Sequence, residues 1–192
     1  MGRMNRTNGM VAAALALAPC FIPTGAAQMA PAQVAELKGK MQVLQAVIDK
    51  NLEQTFTLPF GILEKTKGTY LSGFGLVFSV EVNLYPMRQV TPFSPQPYGA
   101  EELEQVKKKK LERIAVIKHT VPQLLADHGV NLGELRPEES VAVVVYLFHI
   151  QGEGEKLPTQ IIVQVKKGDL DQFRANRISS SDLKARVKIS EL

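Results

Sequence analysis

Cysteine occurs once in the 192 residues, at Cys20, inside a segment that reads as one removed from the finished protein. What then remains has no disulfide framework, no zinc-thiolate site and no cysteine nucleophile. Its core has to hold by packing, which residues 28–192 are long enough to achieve as one domain, burying roughly 70% of the unfolded surface. Long apolar runs are missing too. The longest, residues 10–22, spans about 20 Å as a helix at 1.5 Å per residue, short of the roughly 30 Å hydrocarbon core of a bilayer. Neither sign of charge dominates: 23 basic residues face 19 acidic ones. Loss of Arg3 and Arg6 with the leader narrows that gap, so nothing drives the chain generally toward nucleic acid.

Arg3 and Arg6, the apolar run and the small residues Thr24-Gly25-Ala26-Ala27 have the three-part layout of a secretory signal peptide over residues 1–27, cut before Gln28. Ala30 or Ala32 offers a later cut. Leu17-Ala18-Pro19-Cys20 resembles a bacterial lipobox except at Pro19, which makes lipidation at Cys20 the weaker expectation. The expected location is therefore beyond the inner membrane, periplasmic or secreted, as a single domain over residues 28–192.

From Pro31 the apolar period is helical. Val34, Leu37, Met41, Leu44, Ile48 and Leu52 recur at three and four, predicting one amphipathic helix over residues 31–55, packed on the domain's own sheet. At Gly68 the period falls to two: Leu76, Phe78, Val80, Val82 and Leu84 share one face, and Val77, Ser79, Glu81, Asn83 and Tyr85 the other. Gly73-Phe74-Gly75 joins this half-buried strand to a shorter β-like run at residues 69–72. Pro86, Pro92, Pro95 and Pro97 then forbid helix and central strand, so "PMRQVTPFSPQPYGA" is a surface loop carrying Phe93 and Tyr98.

A second long helix begins near Ala100 behind Glu101 and Glu102, is kinked or interrupted at Pro122 and ends at Gly129. Its run Lys107-Lys108-Lys109-Lys110 fans around the helix instead of forming one cationic face. "VAVVVYLFHI", residues 141–150, is apolar on both alternating sets and reads as a central strand covered on both sides, or by the helix and the long loop together. Ile161, Val163 and Val165 mark its antiparallel partner. "GDLDQFRANR" reads as a turn, and Ser179 and Asp182 have the capping-box spacing that opens a last helix. The order predicts an α+β domain with an antiparallel sheet of about four strands, in two hairpins, packed with two long helices and a short C-terminal helix.

The chemistry that the sequence lacks is as informative. Gly73-Phe74-Gly75 has neither the Gly-Lys-Ser/Thr end of a Walker loop nor the third glycine of a dinucleotide fingerprint, and a strand follows it. His119 and His128 are nine residues apart on one helix, and His149 lies in an apolar strand, so no histidine pair has metal-ligand spacing. No G-x-S-x-G motif occurs. The paired carboxylates Glu101-Glu102, Glu138-Glu139 and Asp169-Asp171 sit at expected helix starts or turns, where capping and solvation account for them.

"YLSGFGLVFSVEV", residues 70–82, is similar to a segment of the form Tyr-Leu-x-Gly-Tyr-Gly-x-x-Phe-x-x-Glu-Val found in uncharacterised exported bacterial proteins, and the ending "DLDQFRANRISSSDLKARVKISEL" resembles their C-terminal helix pair. The resemblance implies export and no particular activity.

The functional expectation is a non-catalytic envelope protein that binds a protein partner, without nucleic acid, cofactor or metal. Its expected contact residues are Tyr70, Gly73, Phe74 and Gly75 at the turn, and Phe93 and Tyr98 on the proline loop. The competing expectation is an envelope hydrolase with a site near Ser72, Glu81 and His149, which meet if their strands pair.

Overall fold

The structure, a computed structural model, describes residues 31–87, 98–150 and 157–192. The expected leader with Cys20, and Phe93 with most of the proline loop, lie outside the described residues.

Two helix-then-hairpin units follow one another along the chain. Helix α1 (Pro31–Thr55) precedes β1 (Gly61–Leu71) and β2 (Gly75–Asn83); α2 (Ala100–His128) precedes β3 (Ser140–Leu147) and β4 (Gln160–Lys166). Two short helices, α3 (Lys167–Arg174) and α4 (Ser180–Arg186), then lead into β5 (Lys188–Glu191).

The strands form one sheet in the order β1-β2-β3-β4-β5, antiparallel at every step except β2 to β3, which is parallel. The sheet is thus mixed and five-stranded, where the sequence suggested an antiparallel one of about four. Helix α2 is the reason. Its 29 residues carry the chain back to the end at which β2 began, so β3 enters running the same way as β2.

One face of the sheet carries the core. Leu76, Phe78, Val80 and Val82 of β2, Val141, Val143 and Val145 of β3 and Ile161, Val163 and Val165 of β4 are buried there. Leu37, Leu44, Ile48 and Leu52 of α1 and Ile114, Ile117 and Val121 of α2 close over them. The alternation read for β2 and β4 is that observed, and so is the seam read for α1 from Leu37 to Leu52, whereas Val34, expected in the same seam, is 50% exposed at the helix start. Strand β3 departs from its expected two-sided cover. Its second set opens from buried Ala142 through half-buried Val144 to Tyr146, which is 47% exposed.

β1 is longer than its sequence signal because it is an edge strand whose exposed face carries Glu64, Lys65 and Lys67 and hides the apolar alternation. Its register slips twice, and at the second slip Lys65 and Thr66 stand against Val80 alone. The displaced Thr66 amide is not lost. It donates to Asp49 Oδ1 of α1 at 2.9 Å, and the Thr66 hydroxyl donates to the same oxygen at 2.6 Å.

"GDLDQFR" is helical, not a turn, because burying Leu170 completely and bonding the Gly168 amide to Pro137 O at 2.9 Å stabilise a short helix against the sheet's end. α4 opens on the expected capping box, with Asp182 N donating to Ser179 Oγ at 3.1 Å and Ser179 N donating to Asp182 Oδ2 at 3.0 Å. Of the four consecutive lysines on α2, Lys108 and Lys109 are exposed while Lys110 is buried, its ammonium donating to Phe148 O at 3.1 Å. The run therefore forms no single cationic face.

Candidate functional site

Strand β2 leaves the Gly73 turn at one end of the sheet and delivers the chain to the proline loop at the other. Tyr70, Gly73, Phe74 and Gly75 therefore lie at the first end, and half-buried Tyr98, which leads into α2, at the second. The two groups of expected contact residues do not form one patch.

At the first end the glycines answer to the backbone. Gly73 and Gly75 have φ of 79° and 118°, a region that other residues adopt only with strain. Gly75 pairs with Ser140 in the parallel ladder, and a Cβ on Gly75 would overlap the Ser140 carbonyl and approach its nitrogen to 2.7 Å. Amides of the turn are also committed within it, that of Phe74 donating to Leu71 O at 3.0 Å. Leu71 and the Phe74 ring, 48% and 38% exposed, face outward.

Tyr70 turns inward. Its hydroxyl donates to Glu139 Oε1 at 2.7 Å, while the Arg136 amide donates to Oε2 at 2.7 Å and the Arg136 guanidinium approaches Oε1 at 3.4 Å. Glu139 is fully buried, which corrects the reading of Glu138-Glu139 as a solvated pair. Burial pushes its carboxyl up, but the Arg136 amide, Tyr70 and the Arg136 guanidinium together bring it below the usual carboxylate range. Burial first, and then the bond to Glu139, raise the Tyr70 hydroxyl. Each group is thus held in the form that maintains the hydrogen bond, the opposite of the tuning toward neutral pH that proton transfer requires.

The hydrolase candidates do not meet. Ser72 belongs to the turn beside Tyr70, Glu81 lies six residues into β2, and His149 follows the end of β3 with its ring Nε2 at 2.8 Å from Pro158 O. From Gly75 to Glu81 alone the strand extends about 20 Å at 3.3 Å per residue.

Two surfaces were not legible beforehand. The first is the face of the sheet opposite the core, where among the described residues no helix packs. Register places Val77, Val144, Ile162 and Tyr146 there, bordered by Lys67, Ser79, Glu81, Gln160 and Gln164. Glu81 stands between Glu64 on β1 and Tyr146 on β3, and these three residues with Ser79 line a depression of about 260 Å³. The signal was available in the polar half of the β2 alternation, but the position of the apolar set beside it depended on strand order.

The second is a cleft of about 310 Å³ between α1 and the short 3-10 turn, Gly129–Asn131, that follows α2. Val43, Val47 and Leu132 form its apolar wall; Glu36, Lys40 and His128 stand at its polar side. Lys40 bridges Glu36, at 2.9 Å, and Glu134. The bond to Glu134 is the main cause that raises the Lys40 ammonium; burial pushes the Glu134 carboxyl up, but its bond to Lys40 together with its other hydrogen bonds brings it below the usual carboxylate range. No periodicity marks this site, because its two sides come from residues about ninety positions apart.

Comparison with known protein families, with curated proteins and with solved structures finds no match to the chain. Among the described residues there is no group of three or more His, Cys, Asp or Glu side chains placed to hold a metal ion, and no helix long and apolar enough to cross a membrane.

Proposed function

We propose that the protein is an exported, non-catalytic binding module that meets another protein of the cell envelope on the open face of its sheet. The carrying observation is Tyr146, 47% exposed near the end of β3, the middle strand of the five-stranded sheet. Its cross-strand neighbours are Glu81 and Gln160; Val144, two residues earlier on β3, Ile162 beside it and Val77 farther along form an apolar strip edged by Lys67 and Gln164. That layout, an apolar strip with an exposed tyrosine at its polar margin, suits a protein contact. A partner with an apolar strip flanked by polar groups fits it. The export half of the proposal rests on the leader-like segment over residues 1–27 and on the resemblance of two segments to exported bacterial proteins.

The hydrolase reading has no assembled set to rest on, since Ser72 and His149 stand toward opposite ends of the sheet.

The test is native mass spectrometry of the protein isolated gently from its own envelope, alongside Tyr146→Lys and Ile162→Lys. Both lysines replace side chains on the solvent side of a formed sheet, so folding is retained. The proposal expects a stoichiometric protein complex with the wild type and its loss in both variants. A complex that persists in both, or a retained small ligand in place of a protein, overturns the assignment of this face.

A further inference from the structure

We infer that the free edge of β5, with the groove between it and α2, takes an extended acidic segment of a partner protein as a sixth strand. The backbone gives the first reason. Gln160 and Leu192 exchange both amide bonds, each at 3.2 Å, and bonded pairs alternate along an antiparallel ladder. Lys188 and Ser190, opposite Gln164 and Ile162, therefore also turn their amides and carbonyls toward β4. Those of Ile189 and Glu191 point away from it, at the end of the strand order, where among the described residues no further strand pairs. The opposite edge is blunted by contrast: β1 slips register twice, whereas β5 pairs without a slip.

The second reason is the groove. Ile189 stands opposite core residue Val163, on the helix side of the sheet, yet is 41% exposed. With Val187 and Pro122 of α2 it lines a recess of about 120 Å³, room for one branched aliphatic side chain. The polar part of the lining is cationic throughout: Lys118, His119 and Lys184, with no carboxylate among the lining residues. Glu191 takes the Lys118 ammonium, but Lys184 and His119 make no ion pair among the described residues.

The two features belong to one ligand. The outward groups of two residues offer four backbone bonds, too few to select a partner, so selection falls to side chains. A strand added to β5 carries alternate side chains on the helix side: an aliphatic one enters the recess, and a carboxylate two residues away meets Lys184 and His119. A basic segment meets an unpaired lysine instead and is rejected. The segment runs beside residues 118–122 of α2. Leu111, two helical turns before Lys118, and Val116, on the far side of α2, lie outside its path.

The experiment is an amide NMR titration of the purified protein at neutral pH with the peptide acetyl-Ser-Glu-Thr-Val-Thr-Glu-Ser-amide, up to about 10 mM. A second peptide has lysine for both glutamates. Two more keep the acidic sequence and carry N-methyl groups on alternate residues, one on the Glu, Val and Glu amides and one on the Thr amides between them. The expected result is saturable shifts at Lys118, Val187, Ile189 and Glu191, slower hydrogen exchange of the Ile189 and Glu191 amides, and at least tenfold weaker binding of the lysine peptide. Only one of the methylated peptides loses binding, because only one alternate set of amides faces the neighbouring strand. Lys184→Glu combined with His119→Glu, both at exposed positions, weakens the acidic peptide at least tenfold; if that variant fails to fold, the four peptides on the wild type decide. No saturable shift, equal or tighter binding of the lysine peptide, the same effect of both methylation patterns, or undiminished affinity in the folded double variant overturns the inference. None of these outcomes bears on Tyr146 or Ile162, so this proposal and that of the open sheet face fail separately.

Discussion

Gly75 and Ser140 lie side by side in the only parallel step of the sheet, so close that any side chain on Gly75 would run into the Ser140 backbone. The Ser140 amide donates to Phe74 O at 2.6 Å across the same junction. The lack of a side chain at Gly75 is therefore what lets the two halves of the fold meet at this junction. Gly75→Ala combines a positive-φ penalty with overpacking and is expected to cost about 3 kcal/mol. Gly73→Ala, in open space, is expected to cost about 1 kcal/mol. Urea unfolding midpoints of the two variants give the order; equal losses contradict it.

Tyr70→Phe removes one of the donors to buried Glu139 and is expected to cost about 1–2 kcal/mol. The pH dependence has a definite sign. Because the folded Glu139 carboxyl lies below its unfolded value, its contribution is fully present above the unfolded pKa and is lost as pH falls through the folded one. The stability gap between wild type and Glu139→Gln should therefore be widest near neutrality and narrow under acid. A gap that widens as the pH is lowered contradicts the assignment.

Arg113 of α2 closes the opposite end of the sheet. Its guanidinium donates to Pro59 O and Leu84 O, and to Thr57 O at 2.9 Å, and lies 5.6 Å and 5.4 Å from the Phe56 and Tyr85 ring centroids. A planar fork satisfies several carbonyls and stacks on rings at once; an ammonium does not. Arg113→Lys is expected to be destabilised almost as far as Arg113→Ala, by about 2 kcal/mol or more in denaturant titrations. Full rescue by lysine contradicts the argument.

Gly39→Ala tests the helix side of the cleft without filling it. With no neighbour within 4 Å of the new Cβ, thermal unfolding should show stabilisation of about 0.5–1 kcal/mol. Destabilisation means that the glycine answers to packing after all.

The elements with strong periodicity were legible in the sequence: the seam of α1, the inward set of β2 from Leu76 to Val82, and the inward set of β4. Their signals are long and each faces one environment. Strand β1 was half hidden because an exposed edge carries Glu64, Lys65 and Lys67 where a core strand would show alternation. Strand β5, four residues all exposed, is too short to carry a period, and its pairing with β4 is a tertiary event. The parallel β2 to β3 step depended on where α2 delivers the chain, which no local pattern encodes. The candidate surfaces share that limit: Tyr146 reads as a core residue in "VAVVVYLFHI" until the strand order leaves its face open, and Lys40 meets Glu134 only in three dimensions.

The central claim, that the open sheet face is where the protein meets its partner, is tested most directly by site-specific photo-crosslinking in the living cell. A photoreactive aromatic residue is placed in turn at Tyr146, at Ile162 and, as controls on the helix side, at Leu111 and Val116, which are exposed on α2. The account predicts an adduct to one and the same envelope protein from Tyr146 and Ile162, and none from the α2 positions. Adducts from α2 alone, or no adduct from either sheet position, contradict it.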